Sequence, residues 1–259
     1  MRAKEETGDS IRLEALPEPL NSAAAEFSPS FSQDGFTLYF NRKPPGSQYS
    51  DLYSSTLVDG EWQLPRPVQS LNSPYSDEAP FLSADEQVLF FASDRDGSLE
   101  MPANEQGQIR VSYDLYWSHK QNGSWSAPVK IPGFVNSIHH ERSPAFDQQR
   151  QVLFFTRWPF GDFKKAVIME SRLVNGVFQK PTALPASINS GNQEAGFAPA
   201  DNGRGYYFAS RRPGGLGGWD VWFTGWKNGG YTKPVSMGPE INTAANDIFL
   251  TVRHLNVYF

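Results

Sequence analysis

An all-β fold, built of four-stranded antiparallel units repeated around a ring, is what the sequence predicts, and three observations carry it. A motif recurs about every 53 residues: Asn21-Ser22, Asn72-Ser73, Asn136-Ser137, Asn189-Ser190 and Asn242-Thr243 stand 51, 64, 53 and 53 residues apart. Inside each unit short apolar runs alternate with turn dipeptides, the signature of short strands rather than of helices. The composition agrees, with 22 glycines, 20 prolines and 14% aromatics in 259 residues. That is rich in turns but short of the roughly 25–30% Gly plus Pro that marks low complexity.

The elements follow in order from each Asn. Five residues after it comes a carboxylate: Glu26, Asp77, Glu141, Glu194 and Asp247. A first strand follows (Pro29–Ser32, Pro80–Ser83, Pro144–Asp147), then a turn such as Gln33-Asp34-Gly35 or Asp201-Asn202-Gly203. A second, continuously apolar strand is next: Leu38-Tyr39-Phe40, Leu89-Phe90-Phe91, Leu153-Phe154-Phe155 and Tyr206-Tyr207-Phe208. Apolar runs of this length bounded by turns read as strands buried on both faces. An arginine closes each run: Arg42, Arg95, Arg157 and Arg211. The third strand reads Asp51-Leu52-Tyr53, Asp114-Leu115-Tyr116 and Asp220-Val221-Trp222. Its hairpin to a fourth strand is signalled by Asp59-Gly60, Asn122-Gly123, Asn175-Gly176 and Asn228-Gly229, which supply the positive φ angles of a type I′ turn. The fourth strand carries Pro65, Pro128, Pro181 and Pro234, and proline without an N–H suits an edge.

Four-stranded units at this period are blades of a β-propeller. Four are complete, over residues 27–76, 78–140, 142–193 and 195–246. The ends supply fragments: Ile11–Asn21 aligns with an outer strand, and Ile248–Phe259 with the first two strands of another blade. The expectation is a single domain over 11–259, a five-bladed β-propeller whose last blade is closed by the N-terminal strand plus C-terminal strands, preceded by a flexible segment at 1–10. Closure from both ends would remove an exposed sheet edge. The alternative is a piece of a longer propeller.

The recurring Asn-Ser-x-x-x-Glu, Pro-x-Phe-Ser-x-Asp-Gly, Leu-Tyr-Phe-x-Ser-x-Arg and Gly-Gly-x-Gly-Gly-x-Asp-Val/Leu-Tyr, clearest in Tyr206–Trp222, resembles the TolB-type or WD-like propeller repeat of bacterial envelope proteins. The resemblance covers nearly all of 11–259. It implies a periplasmic or extracellular location and a binding role, the name-giving member engaging a peptidoglycan-associated lipoprotein. Blade three departs, with Val167 in place of Asp and Phe160–Lys165 in place of the glycine-rich loop. Blade two carries about eleven extra residues within Asp96–Ser112, including Glu100, Glu105 and Arg110.

Composition excludes several classes. There is no cysteine, hence no thiolate nucleophile, disulfide or Cys-ligated metal. A net charge of −5 with scattered basic residues gives no footprint for nucleic acid. No apolar run approaches the roughly 20 residues of a membrane helix, and Met1–Ser10 has no apolar core of a signal peptide. A nucleophile elbow and a phosphate-binding loop are both lacking, and Gly214–Gly218 fails the dinucleotide pattern because Asp220 replaces its last glycine.

Propeller geometry places the five carboxylates and four arginines around one mouth of the central channel. Three readings stand there: structural pairing of each carboxylate with an arginine, a ring of oxygens holding calcium, and direct ligand binding. Structural pairing comes first, since a residue present in every repeat is most economically explained by a job every blade shares; a bound calcium is what resemblance to six-bladed lactonases and phosphotriesterases implies. Features confined to one blade point more sharply to function. His139 and His140 beside Glu141 suit proton transfer or metal ligation. Trp158 heads an aromatic loop, 158–163, suited to stacking on sugar rings or anchoring a partner. The expected function is therefore a monomeric envelope propeller that binds a protein, peptide or glycan at the channel mouth. The alternative is a hydrolase using the carboxylate ring, either calcium-assisted on lactones, esters or phosphotriesters, or acid–base on glycosides.

Overall fold

The computed structural model describes residues 16–101, 110–200, 203–248, 251–253 and 256–258. Four antiparallel sheets of the expected connectivity follow one another along the chain. Their inner strands are Ala25–Phe31, Asp77–Leu82, His140–Asp147 and Glu194–Pro199; their second strands are Thr37–Lys43, Val88–Ser93, Val152–Trp158 and Gly205–Ser210. Third strands are Asp51–Val58, Asp114–Gln121, Val167–Val174 and Asp220–Lys227. The inner strands of successive blades lie side by side around the axis.

The second strands are the core, as their unbroken apolar runs predict. Leu89, Phe91 and Leu153 to Phe155 have no exposed surface. Their side chains pack in the seams between blades: Phe90 and Leu115 of blade two join Phe146, Leu153 and Phe155 of blade three, while Phe154 and Ile168 join Phe197, Tyr206 and Phe208 of blade four. The hairpin dipeptides have the predicted left-handed backbone, with φ of 51° and 82° at Asp59-Gly60 and 49° and 80° at Asn122-Gly123.

Each outer strand is broken in two, for example Glu61–Trp62 and Arg66–Pro67 on either side of Pro65. The proline cannot donate to the ladder, and the register slips by one residue between Leu57↔Trp62 and Ser54↔Arg66. A third-strand hydroxyl takes over at the break. Ser118 donates to the Ser126 carbonyl at 2.6 Å and Thr224 to the Thr232 carbonyl at 2.7 Å, in each case two residues before the proline.

The inner strands begin earlier than predicted and carry a bulge. Their register is interrupted at Phe27/Ser30, Glu78/Phe81, Arg142/Ala145 and Ala195/Ala198. The bulged residues Ser28, Ala79, Ser143 and Gly196 have φ of 54°, 54°, 53° and 68°. Three of them precede a proline (Pro29, Pro80, Pro144), which again removes a ladder donor.

The blade count departs from expectation: the propeller has four blades, not five. Among the described residues of the last twelve there is a hairpin of three-residue strands, Thr251–Arg253 and Asn256–Tyr258, paired with each other and with no other described strand. Such a hairpin is too short to make a blade. The N-terminal residues that were to complete it do not form an outer strand where they are described. Leu16–Asn21 is a turn whose Leu20 is buried against Phe31, Leu38 and Phe40 of blade one; residues 11–15 lie outside the described residues. The C-terminal hairpin rests beside the inner strand of blade one.

Candidate functional site

The repeated carboxylates head the inner strands and turn back into their own blades. Glu141 accepts the Ser137 backbone N–H at 3.1 Å and hydroxyl at 2.5 Å, and pairs with Arg157 Nε at 2.7 Å. Arg157 Nη2 then donates to the Val135 carbonyl at 2.7 Å. The other blades repeat the relay. Glu26 holds Ser22 and Arg42, Asp77 holds Ser73 and Arg95, and Glu194 holds Ser190 and an arginine. The arginine of blade four is Arg212 rather than Arg211, which is exposed. Blades one and three place arginine 16 residues after the carboxylate, blades two and four 18. Asp247 accepts the Thr243 N–H at 2.7 Å and its hydroxyl at 3.1 Å. From Asn72 onward the preceding Asn completes the junction: Asn136 accepts from Leu115 N–H at 2.6 Å and donates to the Leu115 carbonyl at 3.0 Å.

Asp77, Glu141 and Glu194 have no exposed surface. Burial pushes the Glu141 carboxyl up to about 7, against the opposing pull of Ser137 and Arg157. No three acidic or histidine side chains converge on a metal-sized site among the described residues. Calcium needs six to eight oxygens, and these carboxylates are each committed to a serine or threonine of their own turn, four of them also to an arginine. The ring does not fit the ion.

His139 and His140 are both half-buried. The His140 Nδ1 accepts the Tyr113 backbone N–H at 3.1 Å, which leaves the proton of the neutral ring on Nε2. Its ring stacks on Trp158 at 5.0 Å, and Trp158 meets Phe163 edge-on at 4.9 Å, which in turn approaches Trp219 of blade four at 5.9 Å. His140 and Trp158 thus come together, whereas the side chain of Glu141, the next residue of the strand, points the other way and is buried with Ser137 and Arg157. In the blade-two insertion, Glu100–Met101 and Arg110–Val111 form a small hairpin; Glu105 lies outside the described residues.

The channel wall is made by other residues. Strand alternation sends the residue after each carboxylate to the opposite side, so Phe27, Glu78 and Arg142 face the axis. Arg142 Nη2 pairs with Glu78 Oε2 at 2.5 Å, and the guanidinium lies 5.7 Å from the Phe27 ring and 5.8 Å from Tyr113. Ser50 donates to the other Glu78 oxygen. Burial and the Glu78 charge push the Tyr113 hydroxyl up to about 12. Arg142 stands next to Glu141 in the sequence, so the period-2 rule could have singled it out.

Below this ion pair the channel narrows to about 60 Å³ between the bulges, at Ser28, Ala79, Ser143 and Gly196. It then widens to a cavity of about 260 Å³ at the opposite mouth, where inner strands turn into second strands. Gln33, Gln148, Gln149, Phe81, Phe146 and Tyr207 are among its walls. The repeated carboxylates do not line this cavity.

Among solved structures the fold is similar to that of the putative TolB from Agrobacterium tumefaciens, at TM-score 0.55 and 15% identity over 88% of this chain and 66% of that one. TolB from Acinetobacter baumannii aligns at 0.50 and 16% over 82% and 43%. A thermostable family-43 glycoside hydrolase aligns at 0.52 and 11% over 87% and 76%. The chain spans less than two thirds of either TolB chain. Identities this low show a common fold, in agreement with the repeat resemblance, and leave function to the site. No family model and no curated protein matches the chain.

Proposed function

From the TolB-like propeller fold, we propose that the chain is a binding propeller of the bacterial envelope, periplasmic or extracellular, whose protein, peptide or glycan ligand enters a mouth of the central channel. The observation that carries this reading is the axial cavity of about 260 Å³, whose walls combine glutamine amides with aromatic faces contributed by different blades. Amides orient a polar ligand and aromatics stack on it, a combination typical of small-ligand sites. Ala84 sits exposed at the rim of the cavity. An Ala84→Trp variant should close the mouth and leave the buried seams intact. Screened in parallel on glycan and peptide arrays, the wild type should retain ligands that the variant loses; identical binding by the two proteins would sink the reading.

A hydrolase acting through His139, His140 and Glu141 is the second reading, and one observation favours it. A carboxyl raised to about 7 suits proton transfer near neutral pH. Lactones, esters, phosphotriesters and glycosides would be the substrates, with Trp158 as the stacking platform. Turnover of any of these, lost in Glu141→Gln under conditions where the variant is still folded, supports it. Equal turnover by the two proteins removes it.

A further inference from the structure

The wide mouth of the channel has a charge that the repeat does not explain. Asp147, at the end of the inner strand of blade three, is the one charged side chain among the described residues lining the 260 Å³ cavity. Its counterparts in the other blades are Ser32, Ser83 and Ala200, so the carboxylate is not a blade-building requirement. It accepts two hydrogen bonds, from the Arg150 backbone N–H at 2.9 Å and from the Tyr206 hydroxyl at 2.5 Å. Both donors are neutral, and neither cancels the charge.

The nearest cation in the sequence reaches Asp147 only through the Tyr206 hydroxyl. The Arg150 guanidinium lies 3.6 Å from the Trp226 ring, donates to the Tyr206 hydroxyl at 2.5 Å and the Tyr231 hydroxyl at 3.4 Å, and stands 3.9 Å from Glu170. It sits outside the cavity wall, behind Tyr206. Two more carboxylates stand on the adjoining blade-two turn and are likewise met by neutral donors: Asp85 by the Gln148 amide at 3.1 Å and Glu86 by the Gln33 N–H at 2.8 Å. No ion pair to Asp85, Glu86 or Asp147 occurs among the described residues. Phe81, Phe146 and Tyr207 complete the wall, and aromatic faces attract cations.

We propose that this mouth binds a cationic group, a primary ammonium or guanidinium, with Asp147 as its counter-charge. The inference rests on the axial cavity being the binding site and adds the class of ligand. A charged donor meeting a carboxylate in a partly water-excluded cavity forms a stronger hydrogen bond than a neutral one, and the fixed Tyr206–Arg150 network holds Asp147 in place for it.

Calorimetric titration of the full chain tests this, with agmatine and cadaverine as free cations and 1,5-pentanediol as the neutral control. Acetylated Gly-Arg-Gly, against its citrulline counterpart, tests a peptide source for the same cation. Binding of agmatine or the arginine peptide at least tenfold tighter than the neutral control, weakened at least tenfold in Asp147→Asn and lost in Ala84→Trp, supports the proposal. Tighter binding in the peptide arm assigns the cation to a peptide side chain, and in the agmatine arm to a free amine. Equal affinity for the cationic and neutral probes, both lost in Ala84→Trp, keeps the axial site and overturns the cation. So does unchanged agmatine binding in Asp147→Asn. Absence of cation binding, while Ala84→Trp still loses array ligands, overturns the cation alone.

Discussion

Arg142 of blade three reaches Glu78 of blade two at 2.5 Å, and both side chains are largely buried, 22% and 9% exposed. The pair bridges two inner strands that are not hydrogen-bonded to each other. Removing one member of such a pair leaves the other as an uncompensated buried charge. Arg142→Ala should cost about 3 kcal/mol of unfolding free energy, and the double replacement Glu78→Gln/Arg142→Met less than the sum of the single changes. A double-mutant cycle by urea denaturation measures this; strict additivity would mean that the two do not interact.

Glu141 gives stability a pH dependence with a definite sign. Its carboxyl rises from the ordinary 4.5 to about 7 on folding, so between these values the folded chain holds a proton that the unfolded chain has released. The resulting stabilisation is complete below about 4.5 and is lost as pH rises through about 7. Melting curves of wild type and Glu141→Gln should therefore converge or cross as pH rises from 4.5 to 7.5, by an amount on the order of 1–3 kcal/mol. Parallel profiles over that range would refute the assignment.

In blade four the two adjacent arginines should differ. Arg212 stacks at 4.8 Å from Phe208, reaches Glu194 at 3.4 Å and donates to the Ile188 carbonyl; Arg211 is exposed. Arg212→Ala should lower stability by about 2 kcal/mol, roughly 4–8 °C in Tm, and Arg211→Ala by less than about 0.5 kcal/mol. Equal shifts in differential scanning calorimetry would contradict the geometry.

Much of this relay is legible from residue spacing, and the arginine of blade four shows how it can be misread. Taking the first arginine after the apolar run selects Arg211, whereas the spacing of 18 already present between Asp77 and Arg95 points from Glu194 to Arg212. The blade count failed for a different reason. A repeat census credits a fragment with the strands of its full-length siblings, whereas twelve residues cannot bury a blade's faces. Turn dipeptides and second strands were legible because local sterics and continuous apolarity dictate them. Phe27, Glu78, Arg142 and Asp147 were missed because they vary between blades, and a repeat alignment draws attention to what stays the same.

Glycines of the blade-four loop provide a steric test. A Cβ on Gly217 would stand 2.0 Å from the Ala245 carbonyl oxygen, whereas one on Gly46 meets nothing within 4 Å, although its φ is +78°. Gly217→Ala should therefore destabilise by more than about 2 kcal/mol, since backbone must shift, and Gly46→Ala by about 1 kcal/mol from strain alone. Chemical denaturation of the two variants checks the ranking; the reverse order would show that the 243–245 loop gives way freely.

The contacts between inner strands also define what this architecture can duplicate. Asn41 of blade one donates to the Asp77 carbonyl at 2.7 Å and accepts the Ala79 N–H at 2.6 Å, both in blade two, and Thr156 of blade three accepts the Gly196 N–H of blade four at 3.1 Å. The bulges of blades two and four are held in this way by the blade before them. A cut at a blade boundary therefore separates a bulge from its anchor, and a transplanted blade would arrive with one end unheld. The portable segment runs from the second strand of one blade through the inner strand of the next. Gene duplication or engineered grafting that respects that offset carries anchor and bulge together, and the ring's modularity is out of phase with its visible blades.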